Sequence, residues 1–568
     1  MAVRRRGGNV SMAQQRATSP GTEKPRLRRA GEGGIKETLE SIVVAFILAF
    51  IFRAFVVEAF RIPTGSMATS LLGAHTTRVC ERCGYHFTTG VQEVKGAEDL
   101  FVCCPNCRHS QMLRPVGVAG RRLRTRSGDR ILVLKLPYDI GGAWLGPRRW
   151  DVVVFKYPGD AQQINYIKRL VGLPDEVVEL IDGDLYRADA AAVPPTVLEK
   201  LAAGRSYMDL DEDERRALDA ALMLTPKTAA AQETLWSVVY DHDFLPDHQI
   251  GTIPAPRWAP RRAGSGWDAS QEEIRFEPKT DELAEVELVN CEFIDDHGYN
   301  YRHDPRREGD VGQGFPQLID HDRVVSDLRL SLLLMGGARP GGGVLQMQLS
   351  KQAEVFTARI AADGGLTLLH DGPGNTTGRR EVGLGRIAAV AAGEPVHLAI
   401  QNVDHRVSVW ADGTMLLLHD DWRADPAVVR ERANGQPPPT VRIGAAAWPV
   451  RLRHVLVERD VYYRNPSRQR LEPRPGFAAK AWPFYLRDGE YFMLGDNSAA
   501  SKDSRLWNEH GDFLNDPRRG VVYHDGTVPA DQLIGRAFFV YWPSGLPAFG
   551  ANAGPRVVPN VGQMRFVR

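Results

Sequence analysis

The sequence predicts a mainly β protein carried on one membrane-spanning helix, with two further modules inserted into its core. Three observations point there. One long apolar run sits near the N-terminus, two Cys-x-x-Cys pairs stand close together, and the later apolar stretches are mostly short and alternating. At 568 residues the chain exceeds a single compact core, so several domains are expected. Lys+Arg 71 against Asp+Glu 70 leaves it near neutral, which argues against nucleic acid as a main partner.

Residues 1–37 carry clustered arginines (Arg4, Arg5, Arg6, Arg26, Arg28, Arg29) among Gly and Ser, and are expected to be a disordered basic arm. Residues 42–52 are continuously apolar, and 54–57 extend the run past Arg53. At 1.5 Å per residue, 41–60 approaches the ~30 Å of a bilayer core. Residues 38–60 are therefore expected to form a transmembrane helix, with Arg53 and Glu58 snorkelling at one end. A buried core helix and a cleaved signal peptide compete with this reading. Cleavage, however, would fall at the serine motif that follows. Positive charge before the span puts the N-terminus in the cytoplasm and the rest of the chain across the bilayer.

Immediately after the run comes Phe60-Arg61-Ile62-Pro63-Thr64-Gly65-Ser66-Met67. Pro63 favours an extended approach and Gly65 permits a tight turn, so Ser66 is presented just beyond the apolar segment. A hydroxyl is a poor nucleophile without a base and without donors for the oxyanion formed on attack.

Cys80, Cys83, Cys104 and Cys107 form two Cys-x-x-Cys knuckles at the spacing of a four-thiolate zinc ribbon over 79–113. A pair of disulfides is the competing reading for a segment outside the cytoplasm. Cys103 is expected to be a spare thiol and Cys291 a small buried residue. Strand-like runs follow at 128–136, 151–157 and 164–174, bounded by Gly and Pro. On the third, Tyr166, Lys168 and Leu170 share one face. A desolvated lysine loses its proton more easily, so Lys168 is a candidate base. A lone strand lysine is more often a snorkelling surface residue, and only its company changes that.

The segments 60–72 (FRIPTGSMATSLL), 128–135, 151–174 and 492–507 (FMLGDNSAASKDSRLW) resemble, in order, the sequence boxes of type I signal peptidases. Residues 528–543 are similar to that family's closing strand. The resemblance implies an antiparallel β catalytic core, split over 61–78, 114–190 and 476–568. It also implies a single-pass protein of the bacterial cytoplasmic membrane, with its catalytic domain on the outer side and preprotein signal peptides as substrates. Ser66 would be the nucleophile and Lys168 the general base. The Ser66 amide and the Thr64 hydroxyl would form the oxyanion hole, and Ser501 would orient Lys168. Asp503 and Arg505 would pair to hold the Gly495-Asp496-Asn497 loop against the site. Ile62, Pro63, Met67, Leu71, Tyr166 and Ile167 would wall small pockets that admit Ala-like side chains. No cofactor is implied for catalysis. The chain departs from the family pattern at Ala68, Thr69 and Ser70, at Trp150 where glycine is usual, at Asp175-Glu176, and at Asn508.

Residues 191–270 are expected to be a helical and linker insert. Asp209 to Arg216 would be a helix start with a solvated face, and 253–266 a linker. Residues 271–465 show short alternating strands, most clearly the hairpin Val396-His397-Leu398-Ala399-Ile400, turn Asp404-His405, Arg406-Val407-Ser408-Val409-Trp410. This resembles a laminin-G or concanavalin-like sandwich, whose members bind glycans or proteins; an insert without a ligand fits equally well. His303, His397 and His405 are read as packed or surface residues rather than ligands. The function expected is removal of signal peptides, with the lipid bilayer as the other partner. The alternative is a membrane-tethered binding protein on an inactive peptidase scaffold, with the sandwich as its working part. A Ser/Lys self-cleaving regulator is disfavoured by the apolar span.

Overall fold

Short alternating segments need partners to satisfy their backbone groups, and here they find them mostly across antiparallel ladders. The computed structural model describes residues 33–91, 100–113, 125–140, 145–159, 164–247, 257–295, 299, 324–335, 342–372, 378–420, 425–432, 437–465, 475–511, 514–515, 523–544 and 560–568. Residues 1–32 of the expected basic arm and His303 lie outside these residues, while 33–37, expected to be disordered, already belong to a helix.

Residues 1–55 and 56–568 make two separate units. In the first, the helix Gly33–Ile51 exposes its large apolar side chains, Phe46 and Phe50 among them. No helix among the described residues is long and apolar enough to cross a membrane. Lys36, Glu37 and Glu40 occupy the first turns, which leaves the apolar stretch 41–51 only about 16 Å long at 1.5 Å per residue. A π-turn, Phe52–Val56, follows the helix. The sequence expectation of helix through Phe60 is corrected here, because Val57–Arg61 is a strand paired with Arg130–Leu134. All five residues pair across the ladder, which satisfies their backbone groups in place of helix hydrogen bonds. Glu58 does not snorkel at a helix end; it pairs with Lys135 at 3.3 Å.

The first large sheet runs, in order of hydrogen-bonded neighbours, Val57–Arg61, Arg130–Leu134, Leu533–Trp542, Val152–Lys156, Asn165–Gly172, Glu490–Leu494 and Val528–Pro529. Every pair in it is antiparallel, and Arg565–Phe566 adds to Leu533–Trp542. A smaller sheet of four strands joins Asp184–Asp189 and Glu176–Ile181 to Met223–Leu224 and Phe484–Leu486. Next to it, Glu212–Ala221 is a helix capped by Asp211, whose carboxylate accepts from the Glu214 amide while Glu214 reaches back to the Asp211 amide.

The large insert is two antiparallel sheets, of eight and seven strands, closed over one apolar core. Leu328, Leu330, Leu345, Met347, Leu398 and Ile400 are fully buried in it. The hairpin Val396–Val403 to Arg406–Ala411 turns at Asp404 (φ 48°) and His405 (φ 53°), both left-handed as a two-residue hairpin turn requires. The sandwich starts earlier than its expected boundary at 271. Ser237–Asp241 pairs with Val450–Arg459, and Trp258–Pro260 pairs with Ala284–Leu288. Of the expected linker, residues 257–266 are described and belong to the sandwich. Trp258 is fully buried there, and burying one indole outweighs the disordering tendency of its Pro and Arg neighbours.

Candidate active site

The segment around Ser66 is shaped by close backbone approach. Ile62 N–H donates to Asp129 O (2.8 Å) and Leu72 N–H to the Asp129 carboxylate (3.1 Å), while Asp129 N–H donates to Leu72 O (2.9 Å). A Cβ on Gly128 would lie 1.9 Å from Ile62 O, so only glycine lets the two chains meet there. Within the segment, Ala68 N–H reaches Gly65 O (3.1 Å) and Leu71 N–H reaches Met67 O (2.8 Å), giving a compact turn. The Asn497 amide donates to Ser66 O (3.0 Å) and its side chain to Gly65 O (3.0 Å), fixing that turn from the opposite side.

Lys168 lies on the interior strand Asn165–Gly172, and its Nζ donates to Ser66 Oγ at 2.5 Å. The lysine is 3 % exposed and the serine 9 %. Burial pulls the Lys168 amine down from 10.5 to about 8, against the opposing pull of Asp503 and Asp496, with Arg505 adding to the lowering. Thr64 Oγ1 lies 3.3 Å from Ser66 Oγ. A hydroxyl, a poised amine and a second hydroxyl thus converge on one point.

The loop opposite is held by two buried ion pairs. Asp496 accepts from Arg169 Nε and Nη2, both at 2.7 Å, and both side chains are fully buried. Asp503 accepts from Arg505 Nε (2.8 Å) and Nη2 (2.7 Å) and takes the Gly495 amide at 3.0 Å. Burial alone would raise the Asp503 carboxyl, but the Arg505 guanidinium holds it below its ordinary range. Ser501 is different. Its hydroxyl is buried without a hydrogen-bond partner among the described residues, and the orienting bond expected to Lys168 is not made in this structure. A Cβ on Gly495 would sit 2.2 Å from Ser501 Oγ and 2.6 Å from Ser66 O, which puts Ser501 beside the Ser66 backbone.

The expected pocket residues divide. Ile62, Met67, Leu71 and Ile167 are buried together under one face of the sheet. Tyr166 faces the other way, beside Lys168, and stacks on Tyr157 with ring centroids 4.3 Å apart. Adjacent strand residues point to opposite faces, so Tyr166 and Ile167 do not wall one common pocket. Pro63 and Thr64 are exposed at the site's rim. Sequence reasoning missed Asp129 and Arg169 as supports. Their only signal was a charged residue placed directly against an apolar strand run.

At a distance from this centre, the four thiols of Cys80, Cys83, Cys104 and Cys107 are buried, with every pair of sulfurs within 4.8 Å. The Cys80–Cys107 and Cys83–Cys104 sulfurs are 3.5 and 3.7 Å apart. That is far beyond a disulfide of about 2.05 Å. It is close to the about 3.8 Å edge of a tetrahedron with 2.3 Å metal–sulfur bonds. Both knuckles repeat one backbone pattern: Gly84 and Arg108, each with positive φ, return their amides to Cys80 O and Cys104 O. Asn106 also donates to Cys83 Sγ, as an outer partner of a thiolate would.

The family described as "Signal peptidase, peptidase S26" matches residues 114–231 and 452–542. Those residues contain Lys168, Asp496, Asn497, Ser501, Asp503 and Arg505; Ser66 falls outside them. Signal peptidase I of Pseudomonas fluorescens is 48 % identical over 132 residues, 22 % of this chain and 41 % of that protein. Signal peptidase I of Pseudomonas aeruginosa is 37 % identical over 94 residues, 15 % of this chain and 27 % of that protein. Over those residues the chain is similar to signal peptidases of type I. The chain spans less than half the length of these curated relatives. Among solved structures, the carbohydrate-binding module CBM66 from Bacillus subtilis is similar at 9 % identity and TM-score 0.22, covering 36 % of this chain and 95 % of that one.

Proposed function

We propose that this protein is a serine endopeptidase that removes N-terminal signal peptides from preproteins, using Ser66 as nucleophile and Lys168 as base. The observation that carries the reading is the 2.5 Å contact between the Ser66 hydroxyl and a fully desolvated amine whose pKa is drawn down to about 8. A neutral Lys168 takes the hydroxyl proton as Ser66 Oγ attacks the scissile carbonyl. The oxyanion is received by the Ser66 amide and the Thr64 hydroxyl. Collapse of the tetrahedral species breaks the C–N bond, and Lys168 returns its proton to the leaving amine. Water then hydrolyses the acyl-serine with Lys168 again as base. Asp496, Asn497, Asp503 and Arg505 hold the backbone of the nucleophile turn rather than touching the reacting atoms, and Ser501 lines the same spot.

The exposed apolar helix at Gly33–Ile51, after a basic arm, supports attachment to a lipid surface with the catalytic unit on the outer side of a bacterial inner membrane. The four cysteines would hold one zinc as a closed structural shell, and the sulfur spacing favours this over disulfides. Incubating detergent-solubilised wild type and Ser66→Ala with a preprotein, and reading the product by mass, tests the function. Cleavage after a small residue by wild type alone is expected. Equal cleavage by both proteins would refute Ser66 as nucleophile.

A further inference from the structure

The nucleophile turn has a second set of contacts that the reaction does not use. Ser70 Oγ donates to Thr234 O (3.2 Å) and lies 3.3 Å from Thr234 Oγ1, while Thr69 Oγ1 donates to the same carbonyl (3.2 Å). Thr234 belongs to the insert, just past the short helix Ala229–Gln232, and its own hydroxyl donates to Ala231 O (2.8 Å). That helix is tied at its other end to the sandwich. The Lys227 amide donates to Asp404 Oδ2 (2.7 Å) and its ammonium pairs with Asp404 and, at 2.8 Å, with Asp460. Asp404 sits in the hairpin turn of the sandwich, and Gln232 Nε2 donates to Asp460 Oδ1 (2.8 Å). Lys227, Gln232, Asp404 and Asp460 are all buried.

The same stretch packs into the catalytic unit. Trp150 Nε1 donates to Pro226 O (3.1 Å), and Ala231 and Leu235 share a core with Trp150, Phe492 and Leu494. Trp150 also passes its backbone carbonyl to Arg169, the partner of Asp496. Three of the positions at which this chain departs from the peptidase pattern, Thr69, Ser70 and Trp150, thus touch residues 226–236. Charged pairs of this depth resist sliding, since parting either partner leaves an uncompensated buried charge. Hydroxyl contacts at Ser70 then bear on a turn whose far side is already fixed by Asn497, so the turn is gripped from both sides.

We propose that residues 226–236 are a strut that transmits the docked position of the β-sandwich to the nucleophile turn, with Thr234 and Ser70 as positioning residues for Ser66. The proposal rests on the reading of Ser66 as nucleophile, and makes turnover depend on an insert that lies outside the reacting groups. A displaced nucleophile loses rate far more than substrate affinity, because a shift near 1 Å can cost on the order of a hundredfold.

The test uses the full-length protein in detergent and four variants: Ser70→Ala, Thr234→Val, their combination, and Asp404→Asn. Preprotein turnover is measured beside hydrogen exchange of the peptide covering residues 64–72. We expect Ser70→Ala to lower kcat by on the order of tenfold or more with KM within about twofold. The pH limb of Lys168 should stay in place, and the double variant should fall no further than Ser70→Ala alone. Exchange over 64–72 should quicken in each variant, Asp404→Asn included. Wild-type kcat in Ser70→Ala, or unchanged exchange over 64–72 in both Thr234→Val and Asp404→Asn, would overturn the strut. If wild type cleaves no preprotein the functional reading fails instead, and the exchange measurement still decides whether the strut exists.

Discussion

The ionisation of Lys168 sets a pH dependence that can be worked out beforehand. The perturbation is pH alone, applied to wild type. In the proposed mechanism the active form is the neutral amine, and burial lowers its pKa from 10.5 to about 8. Above that value the amine is mostly neutral, and well below it each pH unit lowers the neutral fraction tenfold. At pH 7 about a tenth of the protein carries a neutral Lys168, and at pH 6 about one hundredth. An exposed lysine near 10.4 would be neutral in only about 0.04 % of molecules at pH 7, so burial is worth roughly 200-fold in competent enzyme at that pH. The profile of kcat/KM against pH on a preprotein should therefore rise with unit slope to a plateau that begins near pH 8. Salt should move the limb little, since the group is desolvated. A limb near pH 10, or a rate flat from pH 6 to 9, would refute a buried amine as the base.

Two further outcomes follow from the supports. Asp496→Ala strands the Arg169 guanidinium in a fully buried place, and should destabilise the catalytic unit by about 3–5 kcal/mol in thermal or denaturant unfolding; a change under about 1 kcal/mol would contradict the pairing. Metal analysis of purified protein should find roughly one zinc per chain, lost in Cys104→Ser together with the fold of the hairpins 75–90 and 100–113. Disulfides without metal would reverse that assignment.

What the sequence made legible was local. The alternation of Tyr166, Lys168 and Leu170 placed the amine on one strand face, and the two knuckles brought four thiols into view by spacing alone. Which hydroxyl the amine meets was not written locally, because the contact joins residues 102 apart and had to come through resemblance to a family. Where competing periods overlapped, the reading slipped. Val57 to Phe60 continues an apolar run and looks helical, yet it is taken up by the ladder with Arg130–Leu134. Trp258 sits in a Pro- and Arg-rich stretch that reads as a linker, and only a core hundreds of residues long in sequence gives its indole a place. Thr234 carried no signal at all, since a lone threonine after a short helix says nothing until Ser70 is seen beside it.

The account depends most on the base being an amine that can shed its proton. Lys168→Arg keeps a cation and a donor at the same place but cannot become neutral near physiological pH. Measured on one preprotein from pH 7 to 9 in the folded, detergent-solubilised protein, it should show no cleavage above the Ser66→Ala background. Processing by Lys168→Arg that approaches wild type at any of those pH values would contradict the account.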